Sequence, residues 1–181
     1  MLIAGCDPGR FGALALLDSE GPALRAIIDM PSSPDGLLLA ELVADVTGAL
    51  DGRRVAHLFV ERQQAFAGSG NVRKMGVSSA KALGEYEMAI RMMAACFGWP
   101  VTRITSPQWK KHFRLNADKG QAIRRAGELL PQEAGRWTVR RGHCTKPQAE
   151  GRAESALIAI YGFHTVTNIP TGEAPAFSEQ L

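Results

Sequence analysis

Four carboxylates stand where a carboxylate needs a reason. Asp7 closes the apolar run Leu2–Cys6, and Glu61 closes the apolar run Val55–Val60. Glu150 and Glu154 lie four residues apart in KPQAEGRAESALIAIYG, a spacing that places both on one face of a helix. Each acid has an ordinary explanation by itself. Asp7 can cap the Pro8-Gly9 turn, Glu61 can be a surface acid at a strand edge, and the helical pair can face solvent, with Glu154 matched to a Lys or Arg. Taken together, two strand-end acids facing two helical acids concentrate negative charge that only cations relieve. Hard oxygen donors favour Mg²⁺, with Mn²⁺ as a substitute, and two ions about 4 Å apart suit in-line displacement at phosphate.

The elements that must carry these acids follow from apolar patterning. Short strands are expected at Leu2–Cys6, Gly12–Leu17, Leu24–Met30, Val55–Val60 and Pro100–Ile104, separated by Pro/Gly-rich turns. Helical stretches are expected at Leu37–Leu50, Val77–Phe97, after Ser106-Pro107, over Asp118–Leu130 and over Pro147–Phe163. The order β-β-β-α-β-α-β-α-α-α predicts an α/β fold. Its mixed five-stranded sheet has three antiparallel strands followed by parallel additions, with covering helices. Residues 1–165 form the expected domain, and 166–181 an expected loosely ordered tail.

Composition narrows the class. At 181 residues the chain is long enough for one substantial core. No apolar run approaches the roughly 20 residues of a membrane span, and the start lacks a signal-peptide pattern, so a cytoplasmic protein is expected. Cys6, Cys96 and Cys144 form no CxxC pair and are expected to be reduced thiols, Cys6 and Cys96 within the core. Net charge is only +3, yet Arg103–Lys146 holds eleven Lys/Arg against three acids, which suggests a polyanionic partner.

Here the residues carry a family likeness. GCDPGRFGALALLD resembles the first motif of RuvC-like Holliday-junction endonucleases, and VERQQA resembles their second acidic strand end. The acid-Gly-x-Ala-acid helix, together with GVSSAKALGEYEMAI, ITSPQWKKHF and DKGQAIRRAGELLP, is similar in order and spacing to the phage and prophage branch. The likeness runs from about Leu2 to Phe163. It implies an RNase H-like (RuvC-type) fold with helices on both sheet faces, a homodimer, and magnesium-dependent cleavage of branched DNA, most typically four-way junctions. It also implies that Asp7, Glu61, Glu150 and Glu154 hold two ions. The pattern departs from bacterial RuvC, where the last two ligands usually stand three apart with Asp or His first; here Gly151 follows Glu150 and the acids are four apart.

Other side chains are candidates for touching DNA. Lys146 could orient water or neutralise phosphate, or be a plain surface lysine. Lys110, Lys111 and Arg114 are candidate phosphate binders, and Arg140, Arg141, His143 and Arg152 could continue that track. Arg10 and Phe11 follow Asp7 closely. Arg73 and Lys74 belong to loop 62–75, which borders Glu61; its Phe66 could wedge between bases or pack on its own domain. The Gly68-Ser69-Gly70 run lacks a nucleotide-loop pattern, and no nucleotide cofactor is expected. Met88, Met92 and Met93 extend the apolar surface of helix 77–97, the expected dimer contact. An actin-like ATPase would need a second phosphate loop and domain. A non-cleaving junction binder, or a nuclease for forks, R-loops or flaps, are the remaining alternatives.

Overall fold

The computed structural model describes residues 1–21, 23–62, 77–116, 120–141 and 144–167, with the backbone alone for 77–80. Three six-residue strands open the chain: β1 (Leu2–Asp7), β2 (Ala13–Asp18) and β3 (Leu24–Asp29). They pair as an antiparallel meander, Asp7 opposite Ala13 and Ala13 opposite Asp29. A two-stranded hairpin follows, β4 (Ser32–Ser33) with β5 (Gly36–Leu37). Then come α1 (Leu39–Leu50), β6 (Val55–Glu61), α2 (Val77–Cys96) and β7 (Val101–Ile104). The chain continues with α3 (Ser106–His112), α4 (Gly120–Leu129), a 3-10 helix (Pro131–Trp137) and α5 (Lys146–Thr167). Strand β6 joins β1 in parallel and β7 joins β6 in parallel, so the mixed sheet reads β3-β2-β1-β6-β7.

Strand periodicity sorts the core into two halves, because alternate side chains point to opposite faces. Ile3, Ala15, Leu17 and Phe59 lie with the buried residues of α5, Trp109 of α3 and Ala122 and Ala126 of α4. Leu2, Ala4, Cys6, Leu14, Leu16, Leu58 and Val60 lie with α1 and with Tyr86, Ile90 and Met93 of α2. Helix α5 is the central element of the first half. It buries residues on every side, including Ala149, Ala153, Leu157 and Ile158, and passes so close to β1 that a Cβ on Gly5 would stand 2.2 Å from the Ala159 nitrogen.

Several boundaries differ from the sequence expectation for identifiable reasons. The first helix begins at Leu39, two residues late, because Pro34-Asp35-Gly36 closes the β4–β5 hairpin. The 3-10 helix after Leu130 has no 3.6-residue signature, yet it buries Trp137. The last helix runs to Thr167, so residues 166 and 167 are helical. Cys6 and Cys144 are buried free thiols, but Cys96 is an exposed one, against the expectation of a core residue, because it lies on the solvent side of the last turn of α2. No helix among the described residues is long and apolar enough to cross a membrane.

Candidate active site

The first two acids are brought together by strand pairing. Parallel register sets Cys6 against Val60, so β1 and β6 end side by side with Asp7 and Glu61 as their last residues. Both acids share strand parity with Ile3 and Phe59, which face α5. Adjacent strands lie about 4.8 Å apart, and this fixes two carboxylates at neighbouring ends of the sheet. Cys6 points the other way. Its thiol is pushed well up by burial and then by the charges of Asp7, Glu61 and Glu87, which keeps it protonated.

The other two acids arrive on α5. Asp7, Phe11, Leu83, Glu150 and Glu154 line one cleft of about 180 Å³. Glu150 is 8% exposed and Glu154 is partly buried. Gly151 makes this possible: a Cβ there would stand 2.0 Å from the Phe11 carbonyl oxygen and 2.9 Å from Gly12 Cα. No side chain larger than hydrogen fits without lifting the helix from the turn that follows Asp7. Arg152 completes the docking. Its Nε and Nη2 donate to the two carboxylate oxygens of Asp29 at 2.7 and 2.6 Å, and its Nη1 donates to the Arg136 carbonyl at 2.9 Å.

Helix α3 supplies two groups that sequence patterning did not assign to this site. Strand β7 ends beside β6, with Ile104 paired to Glu61, and α3 starts two residues later. The buried Trp109 indole N–H donates to Glu61 Oε2 at 2.7 Å. Lys110 Nζ lies 3.4 Å from Glu154 Oε1 and 5.0 Å from the Trp109 ring centroid. Burial pushes the Glu61 carboxyl above its usual range; the Trp109 hydrogen bond opposes this, Glu154 adds to it, and Lys110 and Ser106 oppose it. One signal in the sequence was available: both site helices begin with Thr-x-Pro-Gln. Thr105 N–H donates to Gln108 Oε1 at 2.6 Å and Thr145 N–H to Gln148 Oε1 at 3.0 Å, the capping-box arrangement with proline in the first turn.

The donor set suits a divalent cation. Asp7, Glu61, Glu150 and Glu154 are oxygen donors, partly or largely withdrawn from water, and Glu61 and Glu154 raise each other's electrostatic cost. As placed, no three His, Cys, Asp or Glu side chains among the described residues are gathered closely enough to hold an ion. The reason lies in the ties just described: Trp109 holds Glu61, and Lys110 puts its ammonium beside Glu154.

The remaining candidates divide sharply. Arg10 and Phe11 are exposed at the rim, the Arg10 guanidinium 5.9 Å from the Phe11 ring centroid. Lys146 is the exposed first residue of α5. Lys111, Arg114, Arg140 and Arg141 are exposed, whereas Arg152 is committed to Asp29 and Arg136, which corrects its expected place in the DNA track. Arg103, counted in the basic block, instead pairs with buried Glu87 at 2.6 Å, and Arg125 and Arg136 pair with Glu128 and Glu133. His57 bonds Thr102 Oγ1 at 2.8 Å across β6 and β7, a structural role. Phe66, Arg73, Lys74 and His143 lie outside the described residues.

No protein-family profile and no curated protein sequence matches the chain. Solved structures do. One is Thermus thermophilus RuvC in complex with a Holliday junction substrate, at 19% identity and TM-score 0.61, covering 93% of this chain and 96% of that one. Another is Thermus thermophilus RuvC, at 21% identity and TM-score 0.58, covering 92% and 96%. The chain has a RuvC-like fold, with the mixed five-stranded sheet and flanking helices expected of it.

Proposed function

We propose that the protein is a divalent-metal-dependent endonuclease that cleaves branched DNA, with the four-way junction as its first substrate. One observation carries this reading: on a RuvC-like fold, two parallel strand ends and one helix converge four carboxylates, Asp7, Glu61, Glu150 and Glu154, at one cleft. When bound to these acids, Mg²⁺ or Mn²⁺ supplies Lewis-acid stabilisation of phosphoryl charge and lowers the pKa of water. The rest is the work of the chain. The reaction is an in-line displacement in which a water oxygen attacks phosphorus and the P–O3′ bond breaks. Trp109 fixes the orientation of Glu61. Lys110, already beside Glu154, offers a positive charge to a phosphate entering the cleft. Arg10 and Phe11 stand at the rim where flanking nucleotides pass, and Lys111, Arg114, Arg140 and Arg141 present exposed cations.

Two symmetric nicks require two sites, and a homodimer through α2 supplies them. Met88 and Met92 support this assembly: they are 52% and 59% exposed, lie one turn apart on the same helix, and form an apolar strip facing away from the core. The motif likeness places the chain with the phage and prophage branch, acting on DNA in the cytoplasm. The Lys110–Glu154 pair favours a second reading, a junction binder that does not cleave, because an ammonium already neutralises one ligand.

A single comparison tests these readings. Wild type and Asp7→Asn are incubated in Mg²⁺, then in Mn²⁺, with four-way junction, fork, R-loop and linear duplex. The expected result is paired nicking of the junction by wild type, and binding without nicking by the variant. Equal cleavage by Asp7→Asn removes the site assignment. Binding without cleavage by wild type establishes the silent binder, and preference for forks or R-loops replaces the substrate but keeps the chemistry.

A further inference from the structure

We infer that a second groove, between the end of α3 and the outer face of α4, binds the phosphate backbone of the DNA strand beyond the acid cluster. This deepens the proposed function and rests on it. The groove encloses about 620 Å³ and is larger than the cleft at the acids. Its walls carry His112, Arg114, Gln121, Arg124 and Arg125, with Glu128 as the one acid. Gln121, Arg124, Arg125 and Glu128 share a helical face, while Ala122 and Ala126 bury the opposite face under α5.

Three guanidiniums against one carboxylate define a ligand with repeated negative charge. Glu128 is 61% exposed and pairs with Arg125 at 2.7 Å, so it neutralises one arginine and leaves the groove positive. A small organic ligand would want largely apolar walls. Here the apolar contributions come from Phe113, which is 6% exposed, and Leu115. Guanidinium groups instead match phosphate oxygens in geometry and charge.

Position and backbone support the same ligand. Lys110, at the acid cluster, and Arg114, at the groove, are four residues apart, on the order of 6 Å along a helix. The groove therefore begins within about one helical turn of the cleft, close enough for consecutive phosphates of one strand. Arg114 also holds φ at 57°, the left-handed region that glycine adopts without strain. It makes no ion pair among the described residues. An exposed, strained arginine without an internal ion-pair partner serves no packing purpose, whereas it does aim a charge at the groove.

The test uses the full chain carrying Asp7→Asn and a fluorescein-labelled four-way junction, with anisotropy measured across a series of salt concentrations. The variants are Arg114→Gly, Arg114→Gly with Arg124→Ala, and Arg54→Ala as an exposed cation at the opposite end of β6. Removing one cation that neutralises a phosphate lowers the slope of log K against log salt by about 0.9. The single groove variant is expected to reduce the slope by nearly one, and the double variant by nearly two, with Arg54→Ala unchanged. Arg114→Gly should melt no lower than its parent, since glycine accepts the backbone, so a binding defect cannot be misfolding. Slopes equal to the parent's, or an equal drop in Arg54→Ala, overturn the groove. If the parent binds no junction, the groove and the proposed function fall together; if it binds normally and only the slopes stay fixed, the groove alone falls.

Discussion

Gly151→Ala isolates the contact that positions two of the four acids. The added Cβ would meet the Phe11 carbonyl oxygen at 2.0 Å, whereas ordinary contact begins near 3.4 Å, so the start of α5 must lift by about 1.4 Å. Two opposing terms set the stability change. Alanine gains up to about 1 kcal/mol over glycine in a helix interior, and overpacking against backbone costs about 1–3 kcal/mol. The net expectation is a loss of about 1 kcal/mol, which for a chain of this size lowers Tm by about 2–4 °C. Activity should suffer far more. Glu150 and Glu154 flank the substitution, and a displacement on the order of 1 Å at reacting groups can cost about 100-fold. Gly48→Ala in α1 is the control: a Cβ there meets nothing within 4 Å, so the same change should raise Tm with cleavage intact. The assay is single-turnover junction cleavage beside thermal melting of both variants. If Gly151→Ala melts higher and cleaves like wild type, α5 is not held at the turn as described, and the placement of Glu150 and Glu154 fails with it.

Other changes probe the ties around the cleft. Trp109→Phe keeps a buried ring but removes the donor to Glu61; it should cost about 1.5–3 kcal/mol and move the acid limb of the pH–rate profile upward, and an unmoved limb refutes the role. Glu61→Gln should stabilise the metal-free protein. With its folded pKa raised, wild-type Glu61 binds protons more tightly folded than unfolded, so stability falls as pH rises from the unfolded carboxyl pKa through the folded one. That slope should shrink in the variant when melting is followed from pH 4 to 7 in EDTA. Arg152→Leu should lower stability by about 1–3 kcal/mol yet leave the salt dependence of DNA binding unchanged; a reduced slope would return it to the DNA track. Met88→Glu with Met92→Glu should give a monomer by sedimentation at tens of micromolar, with Tm within a few degrees of wild type because both side chains are exposed.

The parts of the site legible in sequence are those governed by rules that act along one element. An acid at the end of an apolar strand declares its position, and strand parity then settles which face it shares; Asp7 and Glu61 needed no more than that. The i,i+4 spacing did the same for Glu150 and Glu154. The Thr-x-Pro-Gln starts of α3 and α5 were readable too, since a capping box is completed within four residues. The illegible parts are contacts between elements. Trp109 lies 48 residues from Glu61 and Arg152 lies 123 from Asp29, and no local period links either pair. Charge counting failed for the same reason. In the basic block Arg103, Arg125, Arg136 and Lys110 have carboxylate partners within the chain, while Arg114 presents an exposed charge on a strained backbone. A cation's residue type states what it can bind, but the side chain packed opposite decides whether that capacity is already used. The DNA-facing charge of this chain must therefore be counted after internal pairs are removed, and what survives that subtraction gathers around the end of α3, one turn from the acids.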